Sequence, residues 1–332
     1  MKPRRVRILG TGAYLPQSRV TPAELNRLLG KEAGWVERFY GIETRHYAGT
    51  ETTSHMAVQA ALAALHNSNC AASELDCIIS GCSVMEQAIP TTSVPIQEQL
   101  GLAESGIPAF DVNSTCMSFL TALDLATHLI EGGSYQRILI VSSEMPSLGL
   151  DWSDAETSAI FGDGAGAVVL ARAESDSDSC CLGSLMQTFS SGAHYCEVAG
   201  AGTRVHAMPA AERPADANLF RMDGQAAYRL TAEKLPILID TLLQRLNLTL
   251  EDIALLVPHQ ASAPAIRHMI RRMRLSPAQV VDICASHGNQ VAASIPSALN
   301  HAVSGGLLKR GDLVMLIGTA AGISLGAMVL RY

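Results

Sequence analysis

Along the chain, short unbroken apolar runs alternate with longer stretches in which apolar residues recur every three or four positions. The short runs lie at 78–79, 138–141, 167–170, 255–257, 313–316 and 328–330. A run that is apolar at every position, and not at alternate ones, predicts a strand covered on both faces. The opening stretch MKPRRVRILGTGAYL is basic, and its apolar part is broken by Gly10 and Gly12. It reads as a first strand and not as a leader peptide. A further strand is expected at 108–112, ahead of Cys116. Helical periodicity covers 54–67, 116–131, 224–246, 262–274 and 291–304. Segments 172–182 and 205–218, rich in Ser, Asp, Ala and Pro, read as exposed connections. The pattern predicts an α/β protein with buried mixed sheets.

The pattern also repeats. The stretch from Asp111 through Cys116 to Gly132-Gly133 matches the stretch from Cys284 through Asn289 to Gly305-Gly306. Each is a strand, a turn, an apolar helix and a Gly-Gly stop, and each leads into another apolar strand. At one common offset Gly132 falls on Gly305 and Cys116 falls on Asn289. Upstream, Glu74-Leu75-Asp76-Cys77-Ile78 and Glu251-Asp252-Ile253-Ala254-Leu255 both run from an acidic helix end into a strand. The chain therefore reads as two similar halves, 1–172 and 173–332, with polar residues at equivalent helix starts. The competing reading is chance likeness between common α/β units.

Composition narrows the function classes. Of 332 residues 48% are hydrophobic, 17% charged and 5% aromatic, with 27 glycines, which suits close helix-on-sheet packing in a large core. The net charge of −7 gives no footprint for nucleic acid. No apolar run approaches the roughly 20 residues that a membrane helix needs. Eight cysteines are present, with no CxxC pair and no histidine at zinc spacing, so no metal site is expected. A chain of this size without a secretion signal is not expected to carry a disulfide framework, and a cytoplasmic setting follows. Most of the cysteines read as small buried hydrophobes.

Cys116 differs, because it follows a strand and opens an apolar helix. There the helix dipole and unpaired N–H groups favour the thiolate, the nucleophilic form. A buried core cysteine at a helix start is the alternative. His259, in Val257-Pro258-His259-Gln260-Ala261, stands just past a strand end, where site loops gather in α/β folds. His287 competes with it as a general base. Asn289 twins Cys116, although an Asn after Gly also serves as a plain helix cap. The Gly-rich stretch 161–166 leads into a strand and so lacks nucleotide-loop geometry; it reads as close backbone packing. The stretch 318–326 could present N–H groups to an oxyanion or simply join two strands.

Together these segments resemble the ketoacyl-[acyl-carrier-protein] synthase III family of the thiolase superfamily. The likeness spans essentially the whole chain. It rests on Gly41-Ile-Glu-Thr-Arg45-His46, Asp111-Val-Asn-Ser-Thr-Cys116, 161–166, Pro258-His259-Gln260-Ala261, His287-Gly288-Asn289 with 292–296, and the closing Gly-rich turn. The resemblance implies a thiolase fold, with two pseudo-repeated halves forming a five-layered αβαβα sandwich. It also implies a catalytic triad of Cys116, His259 and Asn289. Cys116 would carry an acyl group as a thioester. His259 and Asn289 would donate hydrogen bonds to the enolate formed when a malonyl-type thioester loses carbon dioxide. The backbone N–H groups of Cys116 and Ala321 would hold the oxyanion. Substrates would be coenzyme A or acyl-carrier-protein thioesters, with no separate cofactor, and the working form a homodimer.

The chain departs from the family pattern in places. The terminal Gly-Phe-Gly-Gly-Gly is Gly318-Thr-Ala-Ala-Gly322 here. Ile89 stands where a Phe often lines the partner's acyl pocket. Trp35 matches the tryptophan that stacks on the coenzyme A adenine, but the opposing Arg is Ala155. The Asn after the His-Gln-Ala segment is Ser262, and a nearby Arg is Pro264. Trp35, Ile89 and Ser262 are thus expected at the substrate. Arg267, Arg271 and Arg272, with Arg274, form a docking face for an acidic carrier protein or a solvated helix face. The departures suit a specialised pathway member in fatty-acid or polyketide-like biosynthesis. Three functions stay open: decarboxylative condensation, transfer of the acyl group to an alcohol or amine, and a non-catalytic partner in a heterodimer.

Overall fold

The protein was analysed as a computed structural model that describes every residue except Asp176. A five-stranded mixed sheet runs in the order Val6–Tyr14, Gly164–Arg172, Arg137–Glu144, Cys77–Ser80, Ala109–Asp111. A four-stranded sheet runs Leu255–Pro258, Leu313–Ala320, Ser324–Arg331, Cys180–Thr188.

Period-2 alternation sorts the strand side chains into three cores. Ile138 and Ile140 face inward, with Phe119, Leu120 and Leu123 of the helix Ser118–Glu131 and Ile295 and Leu299 of the helix Ser294–Ser304. Val257, Val314 and Leu316 of the second sheet close that core from the other side. Leu139 and Val141 face outward, onto the helix Thr53–Asn67. Leu256, Met315 and Ile317 likewise face the outer helix Gly224–Leu246. The result is five layers, αβαβα, with two helices sandwiched between the sheets. Strands apolar at every position follow from this, because each sheet has helices on both faces.

Three local expectations are corrected. The helix after Cys116 begins at Ser118, so Cys116 precedes it within the turn. Cys180–Thr188 is a nine-residue edge strand that claims part of the predicted connection 172–182; Asp176 of that connection lies outside the described residues. Its Cys-Leu-Gly-Ser-Leu-Met sequence carries little apolar signal, and its pairing with Ser324–Arg331 supplies the missing stability. The segment before Cys284 makes only an isolated bridge, Val280 to Leu256. There the Gln260 side chain takes the place of a neighbouring strand: its amide donates to Pro258 and Val281 carbonyls, and its oxygen accepts the Ile283 N–H at 2.8 Å.

Candidate active site

Cys116 sits between the strand Ala109–Asp111 and its helix, partly buried against the central core. The preceding Thr115 has φ 51°, a left-handed conformation that costs a β-branched residue on the order of 1–2 kcal/mol. That kink turns Cys116 out of the strand line. The Thr115 hydroxyl reaches the carbonyls of Ser114 and Ala321, at 2.8 and 3.4 Å, tying the turn to the hairpin between Leu313–Ala320 and Ser324–Arg331. The backbone N–H groups of Ala321 and of Cys116 itself face the thiol sulfur. Gly318 and Gly326 allow this approach, since a Cβ at either would lie within 2.8 Å of the Met117 side chain.

The expected thiolate is not the resting form. Burial, and then the charge of Glu144, push the Cys116 thiol up to about 12, against the two N–H groups that favour the anion. Helix-start position alone misled here, because the sign was decided by what packs around the sulfur.

His259 continues the line of Leu255–Pro258, its N–H bonded to the Ile317 carbonyl at 2.7 Å. The ring is 6% exposed, and burial pulls it down to about 4, so it is neutral near pH 7. Nδ1 lies 2.6 Å from Ser294 Oγ, which also accepts the Gln260 N–H. With its lone pair engaged by that N–H, the serine has its hydrogen free for Nδ1. A neutral ring that accepts this serine hydrogen at Nδ1 carries its own proton on Nε2, as a donor.

Asn289 is oriented by backbone on both sides. Its Oδ1 accepts the Val291 N–H at 2.9 Å, and its Nδ2 donates to the Ala261 carbonyl at 3.3 Å. One amide N–H is left over. The turn is pinned to the first half: Asn289 N–H to Ile160 O, Gly162 N–H to Asn289 O, and Gln290 Nε2 to Asp163 O. The stretch 161–166 needs its glycines for this contact. A Cβ on Gly162 would meet the His287 carbonyl at 2.2 Å, and one on Gly164 would meet the Gln290 amide at 1.9 Å. Val291, like Thr115, is β-branched with a positive φ of 50°.

Ala261 joins two of the three residues: its N–H bonds the His259 carbonyl at 3.0 Å and its carbonyl accepts from Asn289 Nδ2, while the Cys116 turn is tied through Thr115 to Ala321. His287, the rival base, bonds Ser286 Oγ at 2.8 Å and is also held near 4 by burial. Among the described residues no cluster of side chains could hold a metal ion.

Comparison with known proteins now decides the family. Residues 110–188 match the profile described as 3-oxoacyl-[acyl-carrier-protein] synthase III, and 243–332 match that of its C-terminal part. A β-ketoacyl-[acyl-carrier-protein] synthase III from a Ruegeria species is 35% identical over 330 residues, covering 99% of both chains. The chain belongs to the β-ketoacyl-[acyl-carrier-protein] synthase III family. The crystal structure of the Aquifex aeolicus 3-oxoacyl-[acyl-carrier-protein] synthase III superposes with a TM-score of 0.89 at 31% identity, over 98% of this chain and 100% of that one. A priming β-ketosynthase from a polyketide pathway gives 0.88 at 28%, over 99% and 96%. The fold is the thiolase fold of that family.

The other expected synthase III positions are scattered. Trp35 packs against Phe39 and Tyr40, with Lys31 Nζ 5.1 Å from its ring centre, and Ala155 is buried in the same apolar cluster. Ser262 caps the helix Ala263–Met273, accepting the Ala265 N–H, so its hydroxyl is engaged structurally. Ile89 is 88% exposed, in a loop with exposed Val84 and Met85. Arg267, Arg271, Arg272 and Arg274 are exposed and join none of the ion pairs among the described residues. Glu144, Gln260 and Ser294 were not foreseen. Glu144 ends an apolar strand, and a carboxylate closing such a run is the one signal that marked it.

Proposed function

We propose that Cys116 is acylated by an acyl thioester and that the acyl group then undergoes decarboxylative Claisen condensation with a malonyl-type thioester. The carrying observation is the Thr115 hydroxyl holding the Ala321 turn beside the Cys116 turn at 3.4 Å, so that the Cys116 and Ala321 N–H groups face the sulfur. Donors fixed there meet a tetrahedral oxyanion formed on an acyl-Cys116 without rearrangement. His259, neutral with its proton on Nε2, and the spare N–H of Asn289 act as two donors for the thioester oxygen as the enolate develops. Neither carries charge, so neither needs a counter-ion in this buried place. The two thioesters supply all the reacting groups, so no cofactor takes part.

The synthase III family condenses, and that favours condensation over plain transfer to an alcohol or amine. The same reading takes Trp35 and Ile89 as contacts for the donor and for a partner's acyl pocket, and Ser262 as the cap that sets the adjoining loop. Unpaired Arg267, Arg271 and Arg272 suit an acidic carrier protein. Exposed Val84, Met85 and Ile89 suit a second copy of this chain, and the free cysteines suit a cytoplasmic setting. The two halves 1–172 and 173–332 are read as a duplicated unit, each supplying one side of the site.

The test is intact-protein mass after incubation with acyl-coenzyme A and acyl-carrier-protein donors, followed by malonyl thioester. An acyl adduct lost in Cys116→Ala, then discharged into a product two carbons longer, is expected. An adduct discharged only by an added alcohol or amine overturns condensation.

A further inference from the structure

Glu144 closes the strand Arg137–Glu144, opposite Gly164. Its side chain is 2% exposed, yet no ion pair among the described residues includes it. The carboxylate instead accepts the backbone N–H of Ser83, and the N–H groups of Val84 and of Ala292, whose turn packs against this strand, face it. The first two open the exposed apolar loop that carries Ile89. The third lies in the turn Val291–Ala293, directly after Asn289. One buried carboxylate therefore joins the strand end, the loop and the Asn289 turn.

The groups around it do not offset its charge. Cys116 faces it from the nucleophile turn and Cys82 from the end of the neighbouring strand. Asp111, from the next strand, adds a second negative charge near Cys82. Cys196 faces Cys116 from a separate short strand, and His259, across the site, is neutral. No lysine or arginine is among the groups acting on Cys116 or Glu144.

We propose that Glu144 is a positioning residue of the acyl-transfer centre: it fixes the Asn289 turn against the first half and, when ionised, sets a negative charge behind the Cys116 sulfur. This inference rests on the reading of Cys116 as the acyl carrier. In acylation the Cys116 S–H gives its proton to the departing thiol, the S–C bond to the acyl carbon forms, and the donor's S–C bond breaks. The free thiolate is opposed by Glu144, whereas the neutral thioester is not. Glu144 thus disfavours the ionised free enzyme relative to the acylated one and keeps the unloaded sulfur from stray electrophiles. Burial pushes Glu144 itself up to about 8, so this guard strengthens as pH rises through that region.

The experiment is the rate of Cys116 alkylation by iodoacetamide across about pH 6 to 10, read on the Cys116 peptide by mass spectrometry, in the full-length wild type, Glu144→Gln and Glu144→Asp. Removing the charge in Glu144→Gln is expected to raise the alkylation rate roughly tenfold at pH 10, where wild-type Glu144 is ionised, and only about twofold at pH 8, equivalent to a Cys116 midpoint about one unit lower. Glu144→Asp keeps the charge on a shorter arm. It is expected to hold the wild-type midpoint while losing malonyl decarboxylation at least about tenfold, through a slack Asn289 turn. A purely structural role would lower activity without moving the midpoint. A Glu144→Gln profile that overlays the wild type overturns the electrostatic part, and an Asp variant with unchanged decarboxylation overturns the positioning part. If Glu144→Gln does not fold, the wild-type profile carries the electrostatic part: its rate should rise less than tenfold per pH unit between about pH 7 and 9 as Glu144 ionises, and a rise of tenfold per unit throughout overturns that part. A wild type that alkylates normally at Cys116 but accepts no acyl group from any donor sinks the acyl-carrier reading instead, a separate result.

Discussion

The turn that carries Cys116 and the turn that carries Asn289 are built alike and used differently. Each leads into a helix with no side-chain cap at its start, Met117 in one and Ala293 in the other. Each helix ends on Gly-Gly, with Gly133 and Gly306 both at positive φ. Each turn holds a β-branched residue in the left-handed region, Thr115 before Cys116 and Val291 after Asn289. Strain kept at equivalent places beside the two polar residues is the kind found where geometry serves chemistry. The difference is electrostatic. The first turn holds a sulfur that burial keeps protonated, with Glu144 adding to this once it ionises; the second holds an amide whose oxygen is engaged and which has one N–H to spare. One backbone plan thus presents a nucleophile on one side and a donor on the other.

The largest break in this comparison comes from the sulfur. Cys116→Ala is expected to cost more than about 10³-fold in turnover with little change in melting temperature; persistent acyl loading in that variant would refute the assignment. Asn289→Ala is expected to lower malonyl decarboxylation by about 10²–10³-fold while Cys116 still loads. Equal loss of both steps would mean that the second turn only supports the first.

A smaller effect separates the halves by pH. His259 and His287, both in the second half, are held near 4 by burial, below the roughly 6.5 of an unfolded chain. The unfolded state takes up these protons first, so stability falls as pH drops from about 6.5 to about 4, by on the order of 2 kcal/mol per histidine at about pH 5. Glu144, in the first half, has the opposite sign. Its folded form holds a proton up to about 8, so the associated stability is present in acid and lost as pH rises through that value. Urea midpoints of His287→Gln between about pH 5 and 7 should fall less steeply than the wild type. Identical acid limbs would place the sensitivity elsewhere.

The smallest effect tests the shared strain. Val291→Asn relieves a left-handed β-branched residue and should gain about 1 kcal/mol, a melting rise of roughly 2 °C. Thr115→Asn should gain less, because the Thr115 hydroxyl bonds the Ser114 carbonyl. Equal gains would show that the hydroxyl contributes nothing.

The strands of both sheets were legible because burial on two faces demands unbroken apolar runs, as at 138–141 and 313–316. The edge strand Cys180–Thr188 was not, since cross-strand pairing stabilises it more than its own residues do. Cys116, His259 and Asn289 were visible as polar residues at strand and helix ends. Ser262 was visible too, but its hydroxyl caps a helix. Glu144 and Ser294 were missed: a carboxylate closing an apolar strand is a weak local mark, and the groups that Glu144 and Ser294 meet come from distant segments.

By itself, then, the sequence determined most of the element types, the repeated strand–turn–helix plan and the family. Those are local or periodic properties, written in the order of apolar and polar residues. Tertiary structure alone decided the protonation of Cys116, the neutral state of His259 and the direction of the Asn289 amide. Each depends on burial and on partners brought from other segments of the chain, and no spacing along one strand or helix encodes them.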